Sequence, residues 1–386
     1  MDKAKLYEGR VKRLITTANH QEPDRVPVLG LVETWAVSYG NGTISECLES
    51  NEREFEIFGR AFEDIYFDAT LGFGLNRAMK VYSGLGTNAY FVSNDGTTLQ
   101  HIEVSPMKVE EYDELIADPV KFLRNRIFPR KYPNLNKPYP ENKEALKSAA
   151  LELAAFGKKM EDGAAYLKEK HGVPVASGNM VISPLDMIFD YLRGFTGTTV
   201  DMRRNPDKLK AATEKLIDFC IGLGTQGKSQ IDPFPWTFTP LHIPTFLGAK
   251  KFGEFYWPAY KKVLMAIHER GGKVFAFLEG NWENYYEYLQ ELPKSLLIAA
   301  FERDDVMKAK KLIGDTVTIS GGMPIDKLKY GTKQECIDHA KMIVDHCAPG
   351  GGYIFSTNMV LLSGGDINVE NFKAVNEFVH QYGAYK

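Results

Sequence analysis

Residues 273–324 read KVFAFLEGNWENYYEYLQELPKSLLIAAFERDDVMKAKKLIGDTVTISGGMP. Three short apolar runs, Val274–Leu278, Leu296–Ala299 and Thr316–Ile319, alternate here with longer segments of helical period such as Asp304–Leu312. Each run is followed closely by glycine or a carboxylate, the repeated pattern of strand, loop and crossover helix. Strands joined by helices run parallel, because the helix carries the chain back to the end where the previous strand began.

The same unit recurs on both sides. Val26–Leu29, Ile65–Phe67, Val173–Ala176 and a weaker run at Gln230–Asp232 precede the quoted stretch, and Tyr353–Phe355 follows it. Helical segments open at Asn205-Pro206-Asp207 and at Phe252, and Thr332 to Glu335 has the form of a capping box. Eight such units predict an α/β chain folded as one (β/α)8 barrel of TIM type across residues 1–386. A doubly wound open sheet is the alternative, although no GxGxxG follows the first strand. The remaining length is assigned to an N-terminal helix at Lys3–Ala18 and an insertion at about 77–110. Within that insertion Asn94-Asp95-Gly96 predicts a type I′ hairpin turn. Two helices around Ala145–Lys170 and an extended connection at Pro129–Pro140 account for the rest.

Composition narrows the class. The 386 residues carry 47 Lys plus Arg against 50 Asp plus Glu, a formal charge of -3, which argues against a nucleic-acid surface or a polybasic membrane patch. No stretch approaches the roughly 18 apolar residues of a membrane span, and the opening MDKAKLYEGRVKRLI has no signal-peptide core, so a cytoplasmic protein is expected. Cys47, Cys220, Cys336 and Cys347 show no CxxC spacing and read as reduced core thiols.

In a barrel, chemistry sits on the loops after the carboxyl ends of the strands. That rule selects Glu33 and Trp35 after the first strand, Asp68 after the second, Asn179 after the third, and Trp236 and His242 after the fourth. Glu279 and Trp282 follow the fifth, Glu302 the sixth and Asn358 the eighth. Carboxylates with one imidazole suit a cation such as Zn²⁺, for which His242 and Glu279 are the candidate ligands. They equally suit general acid–base work by Glu279, His242, Glu302 or Asp68. Glu33, Trp35, Asn179, Trp236, Trp282 and Asn358 are the candidate substrate contacts. Each also has a structural reading: Glu279 bonding nearby amides, Glu302 pairing with Arg303, Asp304 or Asp305 capping the next helix, and each tryptophan as core.

Several strings resemble the uroporphyrinogen decarboxylase superfamily. They are Arg10–Arg13 with Pro23–Val28, Thr198–Met202 with Asn205–Asp207, Phe252–Pro258, Gly321–Pro324, and Gly350–Phe355 with Glu370-Asn371. The resemblance implies a distorted (β/α)8 barrel, and either tetrapyrrole decarboxylation or zinc-dependent methyl exchange with corrinoid proteins. The decarboxylases carry an arginine-containing string after the first strand, where this chain reads Leu29-Gly30-Leu31-Val32-Glu33-Thr34-Trp35. They also carry a histidine after the last strand, where Met359 stands. A polyanionic porphyrinogen would lose bidentate arginine contacts there. The thiol-specific methyltransferases carry His-x-Cys-Gly at the fifth strand, where this chain has Phe277-Leu278-Glu279-Gly280, so an oxygen-rich site with His242 replaces the thiolate set. The resemblance thus implies a methyltransferase acting on a small ether, amine or thiol, with a corrinoid on a partner protein. A decarboxylase of a tetrapyrrole or smaller acid is the alternative, and a non-catalytic barrel binding a tetrapyrrole or a corrinoid protein is the third reading.

Overall fold

The computed structural model describes residues 2–87 and 89–385. Eight short parallel strands form its centre: β1 (Leu29–Gly30), β2 (Ala69–Thr70), β3 (Ser177–Met180), β4 (Trp236–Leu241), β5 (Val274–Leu278), β6 (Leu297–Phe301), β7 (Thr318–Met323) and β8 (Tyr353–Thr357). Strands β3 to β8 pair in chain order, and β1 pairs with β2. Parallel bridges Thr70↔Val175 and Val28↔Phe355 join the two parts at both ends. The ring is therefore closed, which excludes the open doubly wound sheet.

The first four strands lie further along the chain than their apolar runs foretell. Proline explains three of the shifts: Pro27, Pro174, and the pair Pro233 and Pro235 have no N–H for a ladder, so regular pairing begins beyond them. The fourth strand is thus Trp236–Leu241 instead of Gln230–Asp232, and Trp236 opens it rather than following it. Asp68 likewise immediately precedes β2.

Side chains alternate along each strand between the barrel interior and the helix layer. Leu29, Ala69, Ala176, Trp236, Phe275, Ile298 and Ile354 belong to the interior cluster, and Leu14 and Ala18 of α1 (Lys3–Ala18) plug its amino end. Trp236 stacks on Phe275 with ring centroids 5.9 Å apart. Val274, Ala276 and Leu278 face the other way, into the larger core beneath the helices. Asp68 is wholly buried at the amino end. It accepts hydrogen bonds from Arg13, from Tyr66 Oη at 2.6 Å and from the Val28 N–H at 2.8 Å, with Arg10 at 3.8 Å.

The insertion forms an antiparallel hairpin, Tyr90–Val92 with Leu99–His101. Its turn is longer than the expected type I′ form. The Ser93 N–H bonds the Thr98 carbonyl, and of Asn94, Asp95 and Gly96 only Gly96 has positive φ, at 75°. Residues Glu141–His171 make one 31-residue helix instead of two, and the Pro129–Pro140 region contains short helical turns at Phe128–Lys131 and Pro133–Asn136. All four cysteines are free and buried.

Candidate functional site

Register brings the polar residues together. In the β4–β5 ladder Pro240 lies beside Phe277 and Leu241 beside Leu278, so the next step sets His242 beside Glu279. The β5–β6 ladder pairs Leu278 with Phe301, and its next step sets Glu302 beside Glu279 on the other flank. Parity decides their direction: Trp236, Phe238, Pro240 and His242 alternate onto the inner face, as do Phe275, Phe277 and Glu279. Below them Leu71, Phe238, Phe277 and Val360 pack half-buried on the interior cluster as an apolar floor.

His242 is held from both sides. Its Nδ1 is 2.8 Å from Asp190 Oδ2 and its Nε2 is 3.3 Å from Glu279 Oε1. The imidazole is 37% exposed and the Glu279 side chain 35%, so both remain open to the mouth of the barrel. Burial alone would lower the imidazole pKa. The hydrogen bonds and charges of Asp190 and Glu279 outweigh it and raise the value to about 11, which keeps both ring nitrogens protonated at neutral pH.

The support for this histidine comes from one helical segment. Ser183 caps the helix Pro184–Ile188 by accepting from the Asp186 N–H, and it donates its hydroxyl to the Asp186 carboxylate at 2.8 Å. Asp186 is wholly buried and also accepts from the N–H groups of His242 and Ile243 and from Tyr256 Oη. Burial and the nearby Asp190 push its pKa upward. Four residues later, in the π-helical turn Phe189–Arg193, Asp190 reaches the ring. One carboxylate thus fixes the backbone of His242 and the other its ring. Neither aspartate follows a strand immediately, so the strand-end rule passes over both. The capping sequence Ser183-Pro184-Leu185-Asp186 is the signal that marks the helix start.

The other candidates fall elsewhere. Glu302 sits beside the triad, with Oε2 accepting the Gly280 N–H at 2.6 Å and Oε1 3.5 Å from Arg303, so it anchors the loop carrying Glu279. Asn358 gives Nδ2 to the Glu302 carbonyl and takes the Ile325 N–H, tying three strand ends together. Glu33 is half-buried after β1, 3.7 Å from Arg77 of the insertion. Asn179 is half-buried within β3, beside Thr237. Asp68 and Trp236 belong to the amino end, opposite the mouth, so neither meets a substrate there. Trp35 and Trp282 are core: Trp35 stacks on Tyr39 at 4.9 Å, and Trp282 packs on Phe252 with its indole N–H on the Glu279 carbonyl. Asp305 caps the helix Val306–Ile313, while Asp304 takes the Trp282 N–H and the Tyr286 hydroxyl.

Two of these donors can be weighed against the geometry that zinc requires. A spacing of 3.3 Å between Nε2 and Oε1 matches the edge of a tetrahedron with bonds of about 2.0 Å, and Asp190 on Nδ1 is the usual partner of a ligating imidazole. Catalytic zinc sites use about three protein ligands. Among the described residues no group of three His, Cys, Asp or Glu side chains is arranged to hold a metal. The donor set is one ligand short.

A model of the uroporphyrinogen decarboxylase (URO-D) family matches residues 126–382. The chain belongs to the uroporphyrinogen decarboxylase family. The matched span covers β3 to β8, including Asp190, His242, Glu279 and Glu302, while the first two strands and the hairpin precede it. Among solved structures, a methyltransferase from Methanosarcina mazei shares the fold with a TM-score of 0.61 over 96% of this chain and 98% of that one, at 14% identity. No curated protein matches. No helix of the described residues is long and apolar enough to cross a membrane.

Proposed function

We propose that this family member is a methyltransferase that moves a methyl group between a small ether, amine or thiol and a corrinoid carried by a partner protein. The observation that carries the reading is His242, held doubly protonated between Asp190 and Glu279 above an apolar floor. Displacement of a methyl group by a reduced corrinoid breaks the bond from carbon to the heteroatom and leaves the electron pair on that atom. An Nε2–H turned from Glu279 toward the leaving atom gives it a proton, and the two carboxylates hold the site ready to be reprotonated from solvent. Phe238 and Phe277 exclude water beneath it. Family membership and the fold shared with a methyltransferase support this reading, and the corrinoid rests on the superfamily resemblance.

The test is formation of methylcobalamin from cob(I)alamin and a panel of methyl ethers, amines and thiols, followed by its absorbance. His242→Gln and Glu279→Gln should each lower the rate by roughly 100-fold or more. Absence of methylation with every donor would overturn the reading.

A second reading has its own support: an imidazolium also protonates the carbanion left by decarboxylation, and Arg77 near Glu33 supplies a guanidinium for a carboxylated substrate. Carbon dioxide release from a small acid, without corrinoid methylation, would favour it. Zinc on His242 and Glu279 is the competing account, because an imidazole nitrogen that ligates a metal carries no proton. One zinc per chain, lost in His242→Gln, would make polarisation by the metal the better account.

A further inference from the structure

A cavity of about 540 Å³ opens between the hairpin and the segment after Phe128, lined by His101, Ile102, Val104, Pro106, Arg130 and Lys131 among others. Its two cations differ. Arg130 is committed, giving Nη1 and Nη2 to the Glu111 carboxylate at 2.7 and 2.5 Å and Nη1 to the Pro106 carbonyl. Lys131 has no carboxylate partner among the described residues, and burial lowers its pKa without any compensating charge. Its ammonium lies 5.0 Å from the ring centre of Tyr191 and 6.0 Å from that of Tyr132. Tyr191 directly follows Asp190, the partner of His242.

A third cation, Arg77, stands on the hairpin side, outside the lining of this cavity. The Arg77 guanidinium is 5.6 Å from the ring centre of Tyr90, whose ring neighbours Tyr82 at 5.5 Å and His101 at 5.1 Å. A partly desolvated ammonium without a counter-ion is unfavourable until an anion reaches it. Arg77 already has a carboxylate 3.7 Å away, that of Glu33, whereas Lys131 is flanked by the Tyr132 and Tyr191 rings.

We propose that Lys131, beside the Tyr132 and Tyr191 rings, is a specificity-determining residue that receives the anionic group of the substrate, a carboxylate, sulfonate or phosphate. The substrate is then an aryl or similarly apolar anion whose reacting end lies at His242. This deepens the function proposed above and rests on reading the barrel mouth as the substrate site.

The experiment reads binding, so it is independent of turnover. Fluorescence titration of the full chain with 2-naphthoate and its neutral counterpart 2-naphthamide should show the acid bound at least about 10-fold more tightly. Lys131→Met should abolish that preference and Lys131→Arg should keep it, with unchanged circular dichroism and melting temperature in both. Equal binding of the two probes, binding of neither, or a preference that survives Lys131→Met would overturn the proposal. A preference lost as expected in Lys131→Met, beside a failure of methyl transfer, would leave this assignment standing and remove the methyltransferase reading alone.

Discussion

His242 draws its charge from two carboxylates that arrive from different elements, Asp190 from a π-helical turn and Glu279 from the end of β5. The sign of the effect follows from its direction. The imidazole pKa is raised from 6.5 to about 11, so the charged interaction is fully present below the ordinary value and fades as the pH rises through about 11. Activity that needs the imidazolium should therefore be level from pH 6 to 9. Asp190→Asn removes one of the two charges and should bring the alkaline fall of the pH–rate profile down by at least one pH unit. An unchanged profile in that variant would show that Asp190 does not set the charge. The sequence shows His242 and Glu279 because both follow a strand, and the observed β4 and β5 give them the same inward parity. It hides Asp190 because no short-range pattern says which turn of a crossover helix folds back over the mouth.

At the scale of elements, parity and proline explain both the successes and the misses. Strands β5 to β8 are bounded by Gly, Ser or Asp and lack internal proline, and their apolar runs mark them within a few residues. In β1, β3 and β4, proline displaces the start of regular pairing past the most strand-like residues. Trp236 therefore opens its strand instead of following it, whereas Asp68 precedes β2 in a stretch that contains no proline. The observed position of Trp236 carries a prediction of its own. Trp236→Ala leaves a cavity against Phe275 at the amino end of the barrel and should cost about 3–5 kcal/mol in urea unfolding, with 2-naphthoate binding retained in the folded fraction. Selective loss of ligand binding at unchanged stability would place the tryptophan in the mouth after all. The hairpin was legible from Asn94-Asp95-Gly96, but its cavity was not, because Lys131 comes from a distant segment and meets the hairpin only in the fold.

Across the whole molecule the closed ring separates two tasks. At the amino end α1 plugs the interior, and Asp68 with Arg10, Arg13 and Tyr66 pins that plug to the barrel. At the carboxyl end the apolar floor and the Asp190–His242–Glu279 triad form the mouth, and Arg77 of the insertion lies 3.7 Å from Glu33 after β1. The near-balanced net charge of -3 conceals this placement. The loop after β1 holds Glu33 and no arginine, while Arg77 and Lys131 come from outside the strand ends. The central claim is that the triad keeps His242 as an imidazolium at physiological pH. Nitrogen NMR of the protein labelled in its histidines tests it most directly, with His242→Gln assigning the signal. Two protonated ring nitrogens persisting through pH 9 are the predicted result. A neutral imidazole by pH 8, or a nitrogen shift characteristic of metal ligation, would contradict the account.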